Sequence, residues 1–240
     1  IGSLRITDDS LKHLQQMPHL KYLDLSMAPY VTGSGLRYLH KSCQLTTMFG
    51  GLNGFSDNGL KELKRHTTLE RLFLWDTSIT DSGLAHLAEL MKLHTLDLRN
   101  TKITDAGLAH LVKLMKLHTL DLSNTKITDA GLIHLKGLTN LKSLQLWGTR
   151  VSDAGLESLK GFELDSLGIP VEATTNLGLK NYLAAIKSAP GLYLYEWKIT
   201  DAGLEHLKGQ THLQTLNLSA TNITDAGLAH LKGLSNLESL

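Results

Sequence analysis

Histidine is the residue type in this sequence with the clearest potential for chemistry, because 12 are present and six recur at one position of a repeating pattern. The six are His13, His86, His110, His134, His206 and His230. A column of imidazoles could hold zinc, whose nitrogen ligands lie about 2.1 Å from the ion. Packed helices stand about 8–10 Å apart, however, and the pattern supplies no third ligand. We therefore predict a solvated histidine column and no metal site.

Aspartate and glycine form two further columns. The aspartates could suggest an acidic metal ladder and the glycines a phosphate-binding loop. Each aspartate follows a Thr or Ser at the start of a helical pattern, so helix capping explains it. The glycines lack the GxxxxGK[ST] spacing, and we expect them to allow tight packing in the first helical turn. The columns are Asp81, Asp105, Asp129, Asp153, Asp201 and Asp225, and Gly83, Gly107, Gly131, Gly155, Gly203 and Gly227.

Cys43 is the only cysteine, which excludes an internal disulfide and a cysteine-based zinc cluster. Its thiol could act as a nucleophile beside His40 or His66, but its position in the repeat predicts a buried, core-covering side chain. The sequence contains neither a serine-centred elbow nor an HExxH motif. We therefore predict that the chain is not an enzyme and has no catalytic residue and no cofactor.

The charge balance argues against two classes of partner. Lys and Arg number 24 against 23 Asp and Glu, which gives a net charge of +1. Binding to nucleic acid or to an anionic membrane favours a clustered basic excess, and no apolar run approaches the roughly 18 residues of a membrane span.

The lone cysteine slightly favours the cytoplasm without excluding export. Because the chain begins and ends inside a repeat, we interpret it as a piece of a longer protein, whose targeting signals can lie elsewhere.

These columns arise from a repeat of 24 residues, seen in the segments that begin at Leu69, Leu93 and Leu117. The pattern returns at Leu141, Ala189 and Leu213, and in looser form at Leu20, Leu45 and Leu164. That makes about nine full repeats with a partial repeat at each end, and we predict a single domain over residues 1–240.

Each repeat has two halves with different periods. In the first half alternate residues are apolar, which predicts a half-buried strand with Leu96 and Leu98 on its inner side. The second half has helical spacing, with Leu108, Leu111 and Leu114 on one face. One unit cannot cover its own leucines, so stacked units should form a parallel sheet on one side and helices on the other.

The LxxLxL segments and the ITDAGL signature resemble the leucine-rich-repeat family, and more closely its 24-residue bacterial variety with TxITDAGLxxLxxL repeats, related to the cysteine-containing repeats of F-box proteins. The resemblance implies an α/β fold, a right-handed horseshoe solenoid with a parallel concave sheet and convex helices, and a role in protein recognition. Threonine often stands where the family has Asn or Cys, and its hydroxyl should bond the turn backbone. Residues 164–188 depart most from the pattern, and their helix carries one extra residue.

Nine strands at about 4.8 Å each would make a wall roughly 40 Å long, with alternate side chains directed outward. Large aromatics beside arginine are typical of protein interfaces, and we predict two such patches on this wall, separated by an acidic strip. The first patch is Arg71, Phe73, Trp75 and Arg99; the second is Trp147, Tyr193 and Tyr195; the strip is Asp97 and Asp121; Phe49 and Gln145 complete the predicted partner-binding set. In the alternative, the rings pack on each other and bind nothing.

The sequence thus favours a non-catalytic module that binds a protein or peptide. Two alternatives are a substrate-receptor arm of an F-box or ubiquitin-ligase-like assembly or effector, and a substrate-selecting domain of a larger enzyme. A purely structural role is a third. We also expect end-to-end self-association through uncapped termini, because leucines at both ends lack a covering repeat. These are Leu4, Leu11, Leu14, Leu237 and Leu240.

Overall fold

The computed structural model describes residues 5–50, 52 and 54–240. Each repeat contributes one strand of three residues. The strands are β1 (Tyr22–Asp24), β2 (Thr47–Phe49), β3 (Arg71–Phe73), β4 (Thr95–Asp97), β5 (Thr119–Asp121), β6 (Ser143–Gln145), β7 (Ser166–Gly168), β8 (Gly191–Tyr193) and β9 (Thr215–Asn217). All the paired strands are parallel, and each pairs with the equivalent residues of the next repeat, as Thr95 does with Thr119.

Helical segments follow the strands and are mostly a single turn. The α-helices are α1 (Asp57–Leu63), α2 (Asp81–Leu84), α3 (Asp105–Leu108), α4 (Asp129–Leu132), α5 (Asn176–Ala185), α6 (Asp201–Leu204) and α7 (Asp225–Leu228). The 3-10 helices are Asp8–Gln16, Ser34–Tyr38, Ala85–Leu87, Ala109–Leu111, Ile133–Leu135, Gly155–Leu159, Val171–Ala173, Glu205–Leu207 and Ala229–Leu231. None of the helices in these described ranges is long and apolar enough to cross a membrane.

The core lies between the sheet and the helices, as the two periodicities predict. Leu96 and Leu98 from the strand half are fully buried, and so are Leu108, Leu111 and Leu114 from the helical half. The intervening strand residues are directed to the other side of the sheet, which we call the strand face. The surface formed by the helical halves is called the helix side.

The sheet is interrupted, which corrects the prediction of one nine-stranded wall. Strands β1 to β7 form one sheet, and β8 and β9 form a second. Pro190 occupies the position of His118, whose N–H donates to the His94 carbonyl at 2.8 Å. Proline has no N–H and cannot make this bond. The N–H of Lys187 donates to the Leu164 carbonyl instead, at 2.8 Å, so the chain pairs with the segment before β7 and not with β7 itself.

The irregularity predicted for residues 164–188 is confirmed in its helix. Helix α5 has 10 residues, against four in α2. The buried side chains also form two clusters, one ending at Ala185 and the other made of Leu179 and buried residues between Leu192 and Leu234. Tyr182 and Trp197 pack against both clusters and stand 5.3 Å apart between ring centroids, so two aromatic rings bridge the interruption.

The aspartate column links successive repeats, which corrects the interpretation that these residues cap their own helices. Thr104 is the N-cap of α3, and Asp105 is the first helical residue. The Asp105 carboxylate accepts the N–H of Thr128 at 2.8 Å and its hydroxyl at 2.6 Å, one repeat further on. The same pair of bonds joins Asp81 to Thr104. Five of the six aspartates, all except Asp225, therefore bond to the residue at the start of the next helix.

The threonine column behaves as predicted. The hydroxyl of Thr101 donates to the Leu98 carbonyl at 2.6 Å, three residues earlier. Thr77, Thr149 and Thr221 make the equivalent bond at 2.6, 2.7 and 2.6 Å. At these positions a threonine hydroxyl thus satisfies the carbonyl that follows the strand, as a turn with little access to water requires.

The termini differ from the expectation of exposed leucine layers at both ends. Leu11 and Leu14 are buried in the first core cluster, so that part of the expectation is wrong. Leu237 is half-buried and Leu240 is exposed. Leu4 lies outside the described residues. The side chains of the first 3-10 helix are covered because Ser34–Tyr38 packs directly against it.

The residue before each threonine adopts a left-handed backbone conformation. Asn100 and Asn124 both have φ of 55°, Gly148 has φ of 64° and Ala220 has φ of 56°. Asparagine and glycine tolerate this region, whereas for alanine it costs about 1–2 kcal/mol. We expect Ala220→Gly to raise the free energy of unfolding by about 0.5–1 kcal/mol, measured by urea denaturation.

The matched control for this prediction is Ala226→Gly, the same substitution inside α7. Glycine in a helix costs about 0.5–1 kcal/mol relative to alanine, so this variant should be less stable than the parent chain. Two changes of the same sign would contradict the conformational explanation.

Candidate functional site

Four aromatic rings lie in contact on the strand face at the N-terminal end of the sheet. The rings of Phe49 and Phe73 stack with centroids 4.3 Å apart and planes at 6°. Trp75 meets both edge-on, at 5.6 and 6.0 Å, and Tyr22 lies 5.5 Å from Phe49. We call Tyr22, Phe49, Phe73 and Trp75 the aromatic cluster. Register explains the contact, because Phe49 is directly opposite Phe73 in neighbouring strands.

Two arginines border the aromatic cluster in different ways. The guanidinium carbon of Arg99 lies 5.5 Å from the Trp75 ring centroid, a cation–π arrangement. The Nε atom of Arg99 also pairs with Asp97 at 3.3 Å. Arg71 points elsewhere along the same strand face, and its Nε donates to the Thr47 hydroxyl at 3.1 Å. Arg99 therefore joins the cluster, whereas Arg71 flanks it.

The predicted acidic strip is present and runs beside Arg99. Asp97 is buried and accepts the N–H of Arg99 at 3.1 Å. Burial raises the pKa of Asp97 because the charged carboxylate loses solvation; the contacts with Arg99 lower this pKa, and the charges of Asp121 and Asp76 raise it further. Asp121 is half-buried and accepts the N–H of Ser123 at 2.9 Å. This part of the strand face is electronegative.

Trp147 is held in one orientation by its neighbours. Its indole N–H donates to Oε1 of Gln145 at 3.0 Å, and Nε2 of Gln145 donates to the Ser166 hydroxyl at 3.0 Å. Gly168 provides the necessary space, since a Cβ atom there would lie 2.2 Å from the indole nitrogen. The side chain is nevertheless 54% exposed, so its ring is presented to solvent in a fixed position.

Trp75 and Trp147 line opposite ends of one groove on the strand face, with a volume of about 630 Å³. We call it the two-tryptophan groove. Its lining residues are Trp75, Asp76, Arg99, Asn100, Asp121, Ser123, Asn124, Gln145 and Trp147. The structure therefore brings Trp147 together with Trp75, whereas the sequence grouped it with Tyr193 and Tyr195.

Tyr193 and Tyr195 lie beyond the interruption of the sheet. They are 67% and 57% exposed, and no ring contact joins them to Trp147 in the part of the chain that the structure describes. The Tyr195 hydroxyl bonds to Glu196, whose charge raises the pKa of Tyr195. Trp197, next in the chain, packs against Tyr182 and belongs to the core.

Sequence reasoning did not include Tyr22, Asp76 or Ser123 in the site. Alternation along β1 predicts that Tyr22 lies on the strand face. Its position one strand before Phe49 was the signal that could have placed it in the aromatic cluster. Asp76 follows Trp75 directly, in the turn with positive φ, where alternation no longer applies. Ser123 is the small residue between Arg99 and Trp147, and its size leaves the floor of the groove open.

The residues considered for catalysis do not form a nucleophilic site, although His66 bonds to the backbone of Cys43. Burial raises the pKa of the Cys43 thiol, which also donates to the Leu20 carbonyl at 3.0 Å, and a neutral, bonded thiol is a poor nucleophile. The recurring histidines lie on the helix side, either exposed or half-buried. Among the described residues, no three His, Cys, Asp or Glu side chains are grouped as metal ligands would be.

Comparison with known proteins matches this architecture. A family profile described as "Leucine Rich repeats (2 copies)" matches residues 116–161, and one described as "Leucine Rich repeat" matches residues 16–39, 89–112 and 209–231. The fold is a leucine-rich-repeat solenoid. Its parallel sheet is the concave surface, and its helices form the convex surface.

Solved leucine-rich-repeat structures resemble the whole length of this chain. An internalin from Listeria monocytogenes is 24% identical with a TM-score of 0.64, over 95% of this chain and 69% of that one. Internalin C2 from the same species is 25% identical with a TM-score of 0.57, over 97% of this chain and 91% of that one. Comparison with curated protein sequences gives no match. Leucine-rich-repeat domains are typically protein-interaction modules and are generally non-catalytic, and no enzyme family is indicated.

Proposed function

We propose that this leucine-rich-repeat chain binds a protein or peptide on its strand face, through the aromatic cluster, Arg99 and Trp147. The observation that carries the proposal is a set of large aromatic side chains on one rigid surface, where Tyr22 and Trp147 are exposed and Phe49, Phe73 and Trp75 are half-buried. Trp, Tyr and Arg supply most of the binding energy at protein interfaces, especially where they are fixed before the partner arrives. Here hydrogen bonds and ring contacts fix Trp75 and Trp147 in advance.

The alternative, in which the rings only stabilise the sheet, explains part of the surface. The members of the aromatic cluster do pack on each other, and such cross-strand pairs add up to about 1 kcal/mol each. Trp147, Tyr193 and Tyr195 have no such ring partner among the described residues, yet each exposes more than half of its surface. Packing of the rings on each other therefore does not explain why these three side chains are aromatic and exposed.

The test is a pull-down from the native lysate with the Trp75→Ala/Trp147→Ala variant, read by quantitative mass spectrometry. Because a tryptophan at the centre of an interface contributes at least about 2 kcal/mol, recovery of the partner should fall at least about tenfold. The matched control is Val112→Ala/Ile133→Ala, which truncates two exposed apolar side chains on the helix side. Circular dichroism establishes that both variants keep the fold.

The proposal fails if both double variants recover the same proteins in the same amounts. The substrate-receptor and enzyme-domain alternatives place this surface within a larger assembly and remain predictions. Each requires a different additional domain, an adaptor-binding segment in the first case and a catalytic domain in the second, so identification of either would distinguish them.

A further inference from the structure

The two-tryptophan groove carries more negative than positive charge. Three carboxylates belong to it or border it, those of Asp76, Asp97 and Asp121, against the single guanidinium of Arg99. Among the described residues, Arg99 is paired with Asp97 at 3.3 Å. The carboxylates of Asp76 and Asp121 therefore have no cationic partner in that part of the chain. The charges of both raise the pKa of Asp97, so both add to the negative potential around that residue.

The walls of the groove suit a cation with an aliphatic stem. Indole faces attract ammonium and guanidinium groups, and the methylenes of lysine and arginine pack on apolar surface while the charge stays near water. Trp75 already holds Arg99 in this manner at 5.5 Å. Trp147 is fixed and exposed but has no cation at its ring within the described residues.

The dimensions fit an extended segment. Trp75 and Trp147 follow β3 and β6, which are three strand spacings apart, or about 14 Å. Ser123 lies between them and leaves the floor open, and Asp121 precedes it on β5. Arg99 fills the space beside Trp75, so the open part of the groove lies above Ser123, between Arg99 and Trp147, where a single long side chain of an extended segment can enter.

We infer that the two-tryptophan groove receives a lysine or arginine side chain from an extended segment of a protein partner, with Asp121 as the pairing carboxylate and Trp147 as the packing surface. This inference rests on the proposed function and deepens it, because it specifies the chemistry of the bound segment. An acidic segment is disfavoured, since it would meet Asp76 and Asp121.

The test uses three probe peptides and the indole N–H signals of the protein in nitrogen-15 NMR spectra. The peptides are Ac-Gly-Leu-Xaa-Leu-Gly-amide, in which Xaa is lysine, glutamine or glutamate. Trp75 and Trp147 report on the groove, and Trp197 is an internal reference because it packs against Tyr182 in the core. We expect the lysine peptide to shift the first two signals and to bind about two- to fivefold more tightly than the glutamine peptide, the range of a partly exposed ion pair.

Asp121→Asn should remove the preference for lysine over glutamine, whereas Asp165→Asn should retain it. Asp165 is exposed and does not line the groove, so the control makes the same change of charge elsewhere. The inference is overturned if no indole signal moves, if the glutamate peptide binds as tightly as the lysine peptide, or if the preference survives in Asp121→Asn. Loss of partner recovery in the double-tryptophan variant without a lysine preference would leave the proposed function standing and remove only this inference.

Discussion

The Gly131→Ala variant is expected to lose about 2–4 kcal/mol of unfolding free energy, measured by urea denaturation. A Cβ atom at Gly131 would lie within 2.3 Å of Oδ1 of Asp105 and 3.0 Å of its Cγ, too close for any real contact. The carboxylate cannot retreat freely, because it holds the N–H and hydroxyl of Thr128 at 2.8 and 2.6 Å. Hydrogen bonds to a charged group contribute about 1.5–3 kcal/mol each, so moving the Asp105 carboxylate away from Thr128 is costly.

Gly137→Ala is the matched control. The nearest atom to a Cβ atom there is the Val112 carbonyl oxygen at 3.9 Å, an ordinary contact. Since alanine restricts the unfolded chain, this variant should be neutral or more stable by up to about 1 kcal/mol. A loss equal to that of Gly131→Ala would show that the cost is not due to the Asp105 contact.

A double-mutant cycle tests directly whether the loss in Gly131→Ala arises from contact with Asp105. Asp105→Ala removes the carboxylate that Gly131→Ala would strike, so the double variant should lose less than the two single variants together. Strictly additive losses would contradict a direct contact between the two positions.

The aspartate and glycine columns show what a repeat period does and does not predict. The sequence places Asp105 and Gly131 in columns with a period of 24 residues, and it predicts close packing at the glycine. It does not indicate that a carboxylate from one repeat occupies the Cβ position of the next. That relation depends on the offset between stacked repeats, which only the three-dimensional structure gives. The interpretation that each aspartate caps its own helix was therefore wrong.

The interruption of the sheet could be predicted in part from the sequence. Pro190 is visible in the sequence at the position of His118, and the missing N–H follows from its chemistry. The alternative pairing of Lys187 with Leu164 was not predictable, because it depends on where the longer helix α5 ends. The chemistry of proline therefore predicts where a strand hydrogen bond is lost, whereas the tertiary structure determines which bond replaces it.

The residues of the strand face were predicted by alternation, but their grouping was not. Phe73 and Trp75 share a side because side chains two apart on a strand do so. Trp147 lines one groove with Trp75 because β3 and β6 belong to the same sheet, whereas Tyr193 lies beyond the interruption; the space over Gly168 sets the orientation of the Trp147 indole. The orientation of Trp147 thus depends on the size of a residue one repeat away, and its grouping depends on a break in strand pairing; neither has a signature in the pattern of a single repeat.

Stability should also fall as the pH drops from about 6.5 to about 4, because of His66. Its side chain is buried, and burial together with the neighbouring charge of Arg65 lowers the pKa of His66 to about 4. Arg65 Nε lies 3.4 Å from Nε2 of His66 in donating geometry, so this nitrogen acts as an acceptor in the neutral ring. A proton there would replace the acceptor with a second positive charge beside a guanidinium.

The sign follows from the two states of the chain. Unfolded, His66 takes up a proton near its usual pKa of about 6.5, whereas folded it resists protonation down to about 4. Between these values the unfolded chain binds more protons, so the stability present above about 6.5 is progressively lost as the pH falls. At about 1.4 kcal/mol for each pH unit, the full loss approaches about 3 kcal/mol.

The measurement is the free energy of unfolding from urea denaturation at several pH values between 4 and 7. His66→Gln should flatten this dependence by up to about 3 kcal/mol across the range, whatever its effect on stability at pH 7. His110→Gln, which removes an exposed histidine from the helix side, should leave most of the dependence in place. If the parent chain and His66→Gln had the same slope, burial of this imidazole could not be the cause, and the charge of Arg65 would have to be screened by solvent.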